Sequence, residues 1–192
     1  AATFETQQVA GDSMSRAQLI MSQIRDIEDF PQPGVTFKDI TPMLADPSGL
    51  RACIEELAQG GRDQGGQAMV TKVMGLEARG FILGGAVAAE LGVGFVPGRK
   101  AGKLPHETHS IPYALEYGEE TLEMHVDAIR PGERILIVDD VLATGGTAKA
   151  AAELIRQAGG VVHAISVVLE LAFLAGRSVV PDIPLHVIHR VE

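Results

Sequence analysis

The sequence predicts an α/β fold with a mostly parallel central sheet flanked by helices, and three observations support this. An uninterrupted apolar run rich in β-branched residues covers residues 135–138, which is typical of a strand buried on both faces. Helical and strand patterns alternate along the chain, as they do where helices connect parallel strands. The 192 residues are 46% hydrophobic, which is enough to bury the core of one such domain.

The helices are predicted from apolar residues spaced three and four apart. The first covers residues 19–27, and the second covers residues 48–59, where Ser48 can cap the N-terminus. Two more follow at residues 80–91 and 148–158.

Short apolar runs between these helices predict the strands. They cover residues 68–74, 94–97, 135–138 and 161–169. In open α/β sheets, ligands bind at the carboxyl ends of the strands, so the functional residues are expected at that edge.

Composition and charge exclude several classes of protein. The chain carries 16 Lys and Arg against 25 Asp and Glu, a net charge of −9, which disfavours a nucleic-acid or anionic-membrane surface. One cysteine excludes an internal disulfide framework and a zinc site built on several cysteines. Residues 1–18 are polar and lack a signal-peptide pattern, so we interpret them as a loose tail and expect a cytoplasmic protein.

The most informative motif is a strand–loop–helix segment over residues 135–147. Its strand ends in two carboxylates, Asp139 and Asp140. The loop then offers an anion backbone amides, hydroxyl donors and a helix N-terminus. The residues of this loop are Ala143, Thr144, Gly145, Gly146 and Thr147. A phosphate cradle beside two carboxylates suits a phosphorylated sugar, with its phosphate in the loop and its hydroxyls on the carboxylates.

Other interpretations of this motif fit less well. A P-loop nucleotidase needs G-x-x-x-x-G-K-[ST], but Gly80 is followed by Phe81 and Ile82. A dinucleotide fold needs G-x-G-x-x-G, and the run that begins at Gly92 lacks the third glycine. A plain helix cap preceded by two strand-end aspartates remains the structural alternative.

Together with four other blocks, this segment resembles the adenine phosphoribosyltransferases of the type I phosphoribosyltransferase family. The blocks are DFPQPGVTFKDITP from residue 29, GLEARGF from residue 75, RKAGKLP from residue 99 and LEYG from residue 115. The block with Asp-Asp and T-G-G-T is typical of type I phosphoribosyltransferases in general. The motifs F-P-x-P-G-V-x-F and L-E-Y-G together narrow the resemblance to the adenine enzymes. In order and spacing, the likeness covers roughly residues 19 to 175.

The resemblance implies a type I phosphoribosyltransferase fold in a single domain over residues 19–192, with a small N-terminal hood from about residues 19–45. It implies purine salvage: the 5-phosphoribosyl group of phosphoribosyl pyrophosphate (PRPP) is transferred to adenine, giving AMP and pyrophosphate. Mg²⁺ is expected as the cofactor, held mainly by PRPP rather than by direct protein ligands. A homodimer is expected too, because the family arginine that matches Arg99 reaches the neighbouring subunit's site.

Three cations lie within five residues, Arg99, Lys100 and Lys103, in a stretch without acids over residues 91–106. By composition alone, a solvated basic loop is as good an interpretation as an anion site. The resemblance implies that these residues and Arg79 bind the pyrophosphate. It also implies a non-proline cis peptide bond between Glu77 and Ala78.

Phe37 is one of only eight aromatic residues, and it lies in a segment framed by proline and glycine. The resemblance places Val35 and Phe37 in the hood over adenine, with Lys38 close by. Packing under a loop is the alternative for Phe37, and Phe30 is expected to be a packing residue. Cys53 is expected to be buried and inert.

Glu116 lies in an acidic stretch where any one glutamate would ordinarily be a solvated surface charge. The L-E-Y-G match reverses that interpretation, since the family carries its catalytic glutamate there on a mobile loop. The resemblance therefore implies catalytic roles for Glu116, Asp139 and Asp140.

Two other functions remain open at this stage. One is a PRPP sensor without turnover, which the short polar tail and the negative net charge disfavour because such regulators usually carry a basic DNA-binding module. The other is the same chemistry on a different base, such as hypoxanthine or xanthine.

Overall fold

The computed structural model describes residues 14–115 and 118–192. Its helices are α1 (Arg16–Ser22), α2 (Thr41–Ala45), α3 (Pro47–Ala58), α4 (Arg79–Leu91) and α5 (Gly146–Gln157). Its strands are β1 (Arg25–Ile27), β2 (Phe37–Asp39), β3 (Lys72–Leu76), β4 (Gly94–Lys100), β5 (Thr108–Ala114), β6 (Glu119–His125), β7 (Arg134–Leu142), β8 (Val161–Leu171) and β9 (Leu185–Val191).

Seven of these strands form one sheet in the order β5-β6-β4-β3-β7-β8-β9. The five strands from β4 to β9 in this order pair in parallel, and β5 and β6 add an antiparallel hairpin at one edge. The predicted mostly parallel sheet is therefore confirmed. Because β3, β4, β7 and β8 are parallel, the segments that follow them meet at the same edge.

Helices cover both faces of the sheet, as the apolar strands require. On one face, Leu136 and Val138 of β7 lie in a core cluster with residues of α3 and α4. On the other face, Ile135 and Ile137 pack with buried residues of α5. These β7 side chains have no exposed surface, so burial of each contributes about 1.5–3 kcal/mol to folding. The site at the end of β7 is thus carried by a strand that is buried on both faces.

The N-terminal region differs from the prediction. The first helix begins at Arg16, inside the segment expected to be a tail, because Ser15 and Gln18 form a capping box there. It ends at Ser22, so the helix expected over residues 19–27 is wrong in its last part. Residues 25–27 instead pair antiparallel with Phe37–Asp39, and an ion pair joins Arg25 to Asp39 at 2.6 Å.

Two further boundaries move for physical reasons. Helix α3 begins at Pro47 and is capped by Asp46, whose carboxylate accepts from the Gly49 amide at 2.7 Å, so Ser48 is not the cap. Strand β3 begins at Lys72, four residues after the predicted start.

Cys53 is buried in α3 as expected, and burial raises the pKa of its thiol to about 12. Among the described residues, no helix is long and apolar enough to cross a membrane.

Candidate active site

The loop predicted to bind phosphate, residues 143–147, lies between the end of β7 and the start of α5, and we call it the phosphate loop. Gly145 occupies the N-cap position of α5 with φ +83°, a conformation that favours glycine. Among the residues that the structure describes, no side chain caps this helix, so its first backbone amides are left for another acceptor. A helix N-terminus with free amides attracts anions. The local geometry is therefore that of the predicted phosphate cradle.

Residues after β8 pack directly against the back of this loop. Gly176 is buried, and an added Cβ atom there would collide with the carbonyl oxygen of Ala143. An added Cβ at Gly145 would lie 2.5 Å from the Gly176 carbonyl oxygen. The two backbones are thus in direct contact, and only glycine fits on either side. Sequence reasoning did not identify this contact.

The two strand-end carboxylates have different surroundings. Asp140 is 5% exposed and accepts a hydrogen bond from the Arg79 guanidinium. Its backbone amide donates to the Asp139 carboxylate at 2.9 Å. Burial and the neighbouring negative charge of Asp140 outweigh this bond and hold the pKa of Asp139 well above its usual range. Perturbed carboxyl groups in a cleft indicate a functional site.

Val35, Phe37 and Lys38 lie on the opposite wall of the same cleft, which has a volume of about 450 Å³. The Arg79 guanidinium lies 5.3 Å from the centroid of the Phe37 ring. The cleft is lined by Val35, Thr36, Phe37, Lys38, Glu77, Ala78, Arg79, Asp139, Asp140, Val141, Ala143 and Leu171. The structure therefore brings the predicted base-binding residues to the predicted ribose-binding carboxylates.

Two residues that line the cleft, Lys38 and Phe37, contact neighbours that lie outside it. The Lys38 ammonium bonds to the Asp26 carboxylate at 2.8 Å. Phe30 packs edge-on against Phe37 with ring centroids 5.3 Å apart, yet it remains 51% exposed. Phe30 is thus a packing partner of the Phe37 ring rather than a residue of the core.

The three cations predicted to share a basic loop do not: Arg99 and Lys100 are the last residues of β4, where they pair with β6, and only Lys103 lies beyond the strand. Lys103 pairs with Glu77, and Lys100 pairs with Glu120 at 2.7 Å. Arg99 donates to the carbonyl oxygen of Lys103 at 3.2 Å. Partial burial alone would raise the pKa of Glu77, but bonds from Lys103 and the Lys100 amide outweigh it and lower the pKa. Acids from other elements therefore pair with the two lysines, contacts that the local sequence could not show.

The peptide bond between Glu77 and Ala78 is cis, as the family resemblance implied. Of the remaining site predictions, Glu116 lies outside the described residues. Leu171 was missed because the predicted strand ended at residue 169, two residues short of the cleft. Extending the apolar run to its end would have identified it.

Comparison with known proteins gives one consistent result. The phosphoribosyl transferase domain model matches residues 43–178. The chain is 58% identical to an adenine phosphoribosyltransferase of Nocardioides sp. over 86% of this chain and 89% of the relative. It is 56% identical to that of Thermobifida fusca over 90% and 96%.

Solved structures agree with the sequence relatives. An adenine phosphoribosyltransferase of Rhodothermus marinus superposes with a TM-score of 0.84 at 48% identity, covering 92% of this chain and 98% of the other. The Saccharomyces cerevisiae enzyme, complexed with an imino-altritol bisphosphate and adenine, superposes with a TM-score of 0.86 at 37% identity, covering 91% and 98%.

Proposed function

The chain belongs to the adenine phosphoribosyltransferase family, and we propose from this premise which of its residues transfer the 5-phosphoribosyl group of PRPP to adenine. The activity itself follows from the family: adenine and PRPP give AMP and pyrophosphate. One observation carries the assignment of roles. A phosphate cradle, a carboxylate pair and an aromatic base platform converge on one edge of the sheet, the last two in a single cleft.

The 5′-phosphate binds to the loop of residues Ala143, Thr144, Gly145, Gly146 and Thr147. The free amides at the start of α5 support this assignment, because the partial positive charge of a helix N-terminus favours a phosphate. The hydroxyls of Thr144 and Thr147 add donors at the same place.

Asp139 and Asp140 hold the ribose hydroxyls, and their charge offsets the positive charge that develops on the sugar as the bond to pyrophosphate breaks. In the cleft, the pKa of Asp139 is raised. A cationic sugar beside it favours the ionised form again, so the carboxylate stabilises the transition state more than the ground state.

The departing pyrophosphate is neutralised by Arg79, Arg99, Lys100 and Lys103. Arginine and lysine stabilise the leaving phosphate oxygens by charge-assisted hydrogen bonds. The side chains of Arg79 and Lys103 are 45% and 44% exposed, so both can turn from their present carboxylate partners towards an entering ligand.

Mg²⁺ would add charge neutralisation on the pyrophosphate oxygens when it is bound with PRPP. No cluster of three or more His, Cys, Asp or Glu side chains suited to a metal lies within residues 14–115 and 118–192. The carboxylate oxygens of Asp139 and Asp140 are of the type that Mg²⁺ prefers, which fits an ion carried mainly by the substrate rather than by a protein cage.

Adenine stacks on Phe37 beneath the hood, with Val35 and Lys38 at its edge. Phe37 lines the cleft and is supported from behind by Phe30, so the ring has a defined orientation. Glu116 handles the proton of the base, as the family motif implies, and closure of its loop would exclude water from a readily hydrolysed sugar cation.

We also propose that the chain works in the cytoplasm as a homodimer, with residues 19–192 forming one domain and about 19–45 its hood. Family membership supports the dimer, and the paired β1 and β2 strands support a distinct N-terminal hood. Light scattering coupled to gel filtration tests the dimer, and a monomer at micromolar concentration would contradict it.

The function is tested by supplying PRPP and Mg²⁺ with adenine, hypoxanthine, guanine or xanthine in turn and measuring the nucleotide formed. We expect AMP from adenine and a far lower rate with the 6-oxo bases. A chain that binds PRPP without forming any nucleotide would overturn the proposal, and preferred use of a 6-oxo base would overturn the base assignment.

Two variants test the catalytic roles. Glu116→Gln should slow turnover steeply while PRPP binding survives, whereas Glu119→Gln, which removes an exposed acid of the same stretch, should have no effect. The double change Asp139→Asn and Asp140→Asn should abolish activity in a chain that still unfolds cooperatively. A near-normal rate in either the Glu116 or the double variant would refute the corresponding role.

A further inference from the structure

We propose that the ion pair between Glu170 and Arg177 positions the phosphate loop from behind, acting through Gly176. Glu170 lies at the end of β8, and Gly176 and Arg177 lie in the turns that follow, so all three are outside the motifs that define the site. The inference rests on the proposed function, because that function assigns the 5′-phosphate to the loop.

The first step is the contact between the two backbones. Two 3₁₀ turns, Ala172–Leu174 and Gly176–Val179, follow β8, and the second packs against the phosphate loop. A Cβ atom at Gly176 would lie 3.0 Å from the Gly145 amide nitrogen as well as against the Ala143 carbonyl. A Cβ atom at Gly145 would lie 3.1 Å from the Gly176 Cα and would meet the Val179 side chain. With no side chain between them, any displacement of Gly176 is transmitted directly to the loop.

The second step is what holds Gly176 in place. Arg177, its neighbour, donates to both carboxylate oxygens of Glu170, from Nε at 2.9 Å and from Nη2 at 2.6 Å. A bidentate pair of this kind fixes orientation as well as distance. Glu170 is only 3% exposed and lies at the end of β8, opposite Leu142 of β7, so the anchor is part of the rigid sheet.

The third step concerns the backbone between anchor and loop. Ala175 has φ +54°, a left-handed conformation that a residue with a side chain rarely adopts. Such a conformation persists only where the surroundings hold it. The bonds from Arg177 also lower the pKa of Glu170, so the carboxylate is ionised and the pair intact at neutral pH.

Arg177 is therefore a positioning residue rather than a catalytic one. Among the described residues that line the 450 Å³ cleft, Leu171 and Ala143 flank this region, but neither Glu170 nor Arg177 is included. The effect of the pair should be seen in binding of the phosphate, and not in the chemistry at the sugar or the stacking of the base.

The test compares Arg177→Met, Arg177→Lys and Glu170→Gln with the control Arg156→Met. Arg156 forms a similar pair with Asp182 at 2.6 Å, but that pair is exposed and lies at the far end of α5. Steady-state kinetics give kcat and the KM for PRPP and adenine separately. Calorimetric titration with ribose 5-phosphate measures the phosphate end alone.

We expect Arg177→Met to raise the KM for PRPP by about 10- to 100-fold, the size of effect that misplacement of a binding group by about 1 Å produces. The affinity for ribose 5-phosphate should fall in parallel, while kcat at saturating PRPP and the KM for adenine stay unchanged. Arg177→Lys keeps the positive charge but cannot make the bidentate bond to Glu170, so its affinity for PRPP should lie between those of the parent chain and Arg177→Met. Arg156→Met should match the parent chain.

An Arg177→Met chain with the PRPP KM of the Arg156→Met control would overturn the proposal, as would a fall in kcat without a change in that KM. If Arg177→Met does not fold, Arg177→Lys and Glu170→Gln provide the same comparison. Failure of the proposed function is distinguishable, because the parent chain would then form no AMP.

Discussion

Replacing Gly145 by alanine measures the contact between the phosphate loop and the turn behind it. At φ +83°, a residue with a side chain is strained by about 1–2 kcal/mol. The new Cβ would also lie 2.5 Å from the Gly176 carbonyl oxygen and against the Val179 side chain, and overpacking of this kind costs about 1–3 kcal/mol. The free energy of unfolding should therefore fall by about 2–5 kcal/mol.

The chain offers a matched control at Gly132. Its φ is +84°, almost the same as at Gly145, but an added Cβ would meet no atom within 4 Å. Gly132→Ala should therefore show the strain alone, about 1–2 kcal/mol. The difference between the two variants isolates the contact with Gly176 and Val179.

Equilibrium unfolding in urea measures both variants, and calorimetric titration with PRPP measures the consequence for binding. We expect Gly145→Ala to lose PRPP affinity and Gly132→Ala to keep it. Equal losses of stability in the two variants would show that the backbone contact contributes nothing. Parent-like PRPP affinity in Gly145→Ala would refute the cradle assignment.

Three further predictions concern single side chains. Phe37→Ala should raise the KM for adenine by about two- to ten-fold, because about 0.5–1.5 kcal/mol of ring stacking is lost, and it should leave the KM for PRPP unchanged. Phe37→Tyr keeps the ring and should behave as the parent chain does in the same kinetic assay. Because burial raises the pKa of Cys53 to about 12, its thiol should resist iodoacetamide at pH 8 in the native chain and react once the chain is unfolded. Equal labelling of the native and unfolded chains, measured by mass spectrometry, would contradict this. Bonds from Thr41 and Arg25 lower the pKa of Asp39 to about 2, so the stability that these bonds provide is present above pH 3.8 and lost as the pH falls towards 2. Asp39→Asn should therefore reduce the change in the free energy of unfolding between these two pH values.

The sequence predicted those parts of the fold whose signals are local. The apolar run of β7 and the glycines before α5 determine the strand, the loop and the helix start within a dozen residues. This is why the phosphate loop and the carboxylates were placed correctly relative to the sheet. Motif resemblance supplied the cis peptide bond between Glu77 and Ala78, which no local pattern indicates.

The features that the sequence did not predict depend on partners distant along the chain. Residues 25–27 follow a helical pattern, but pairing with Phe37–Asp39 and the ion pair to Asp39 make them a strand. The edge hairpin of β5 and β6 was obscured by its charged residues, although exposure alternates along β5 as in a half-buried strand. Gly176 lies 31 residues beyond Gly145, and only the packed structure reveals why both must be small.

The ion pairs of the cations predicted to bind pyrophosphate have a consequence for how that group would bind. Arg79, Lys100 and Lys103 each have a carboxylate partner in the part of the chain that the structure describes. On the proposed assignment, a pyrophosphate group that binds these cations displaces their carboxylate partners instead of meeting unpaired positive charge. When a bound carboxylate is replaced by a phosphate group, the affinity for the phosphate depends less on ionic strength than the number of cations suggests. Selectivity between anions then depends on which of them fits the geometry of the cations better. On the proposed assignment, a chain with a net charge of −9 would select PRPP by the geometry of its pyrophosphate group rather than by charge alone.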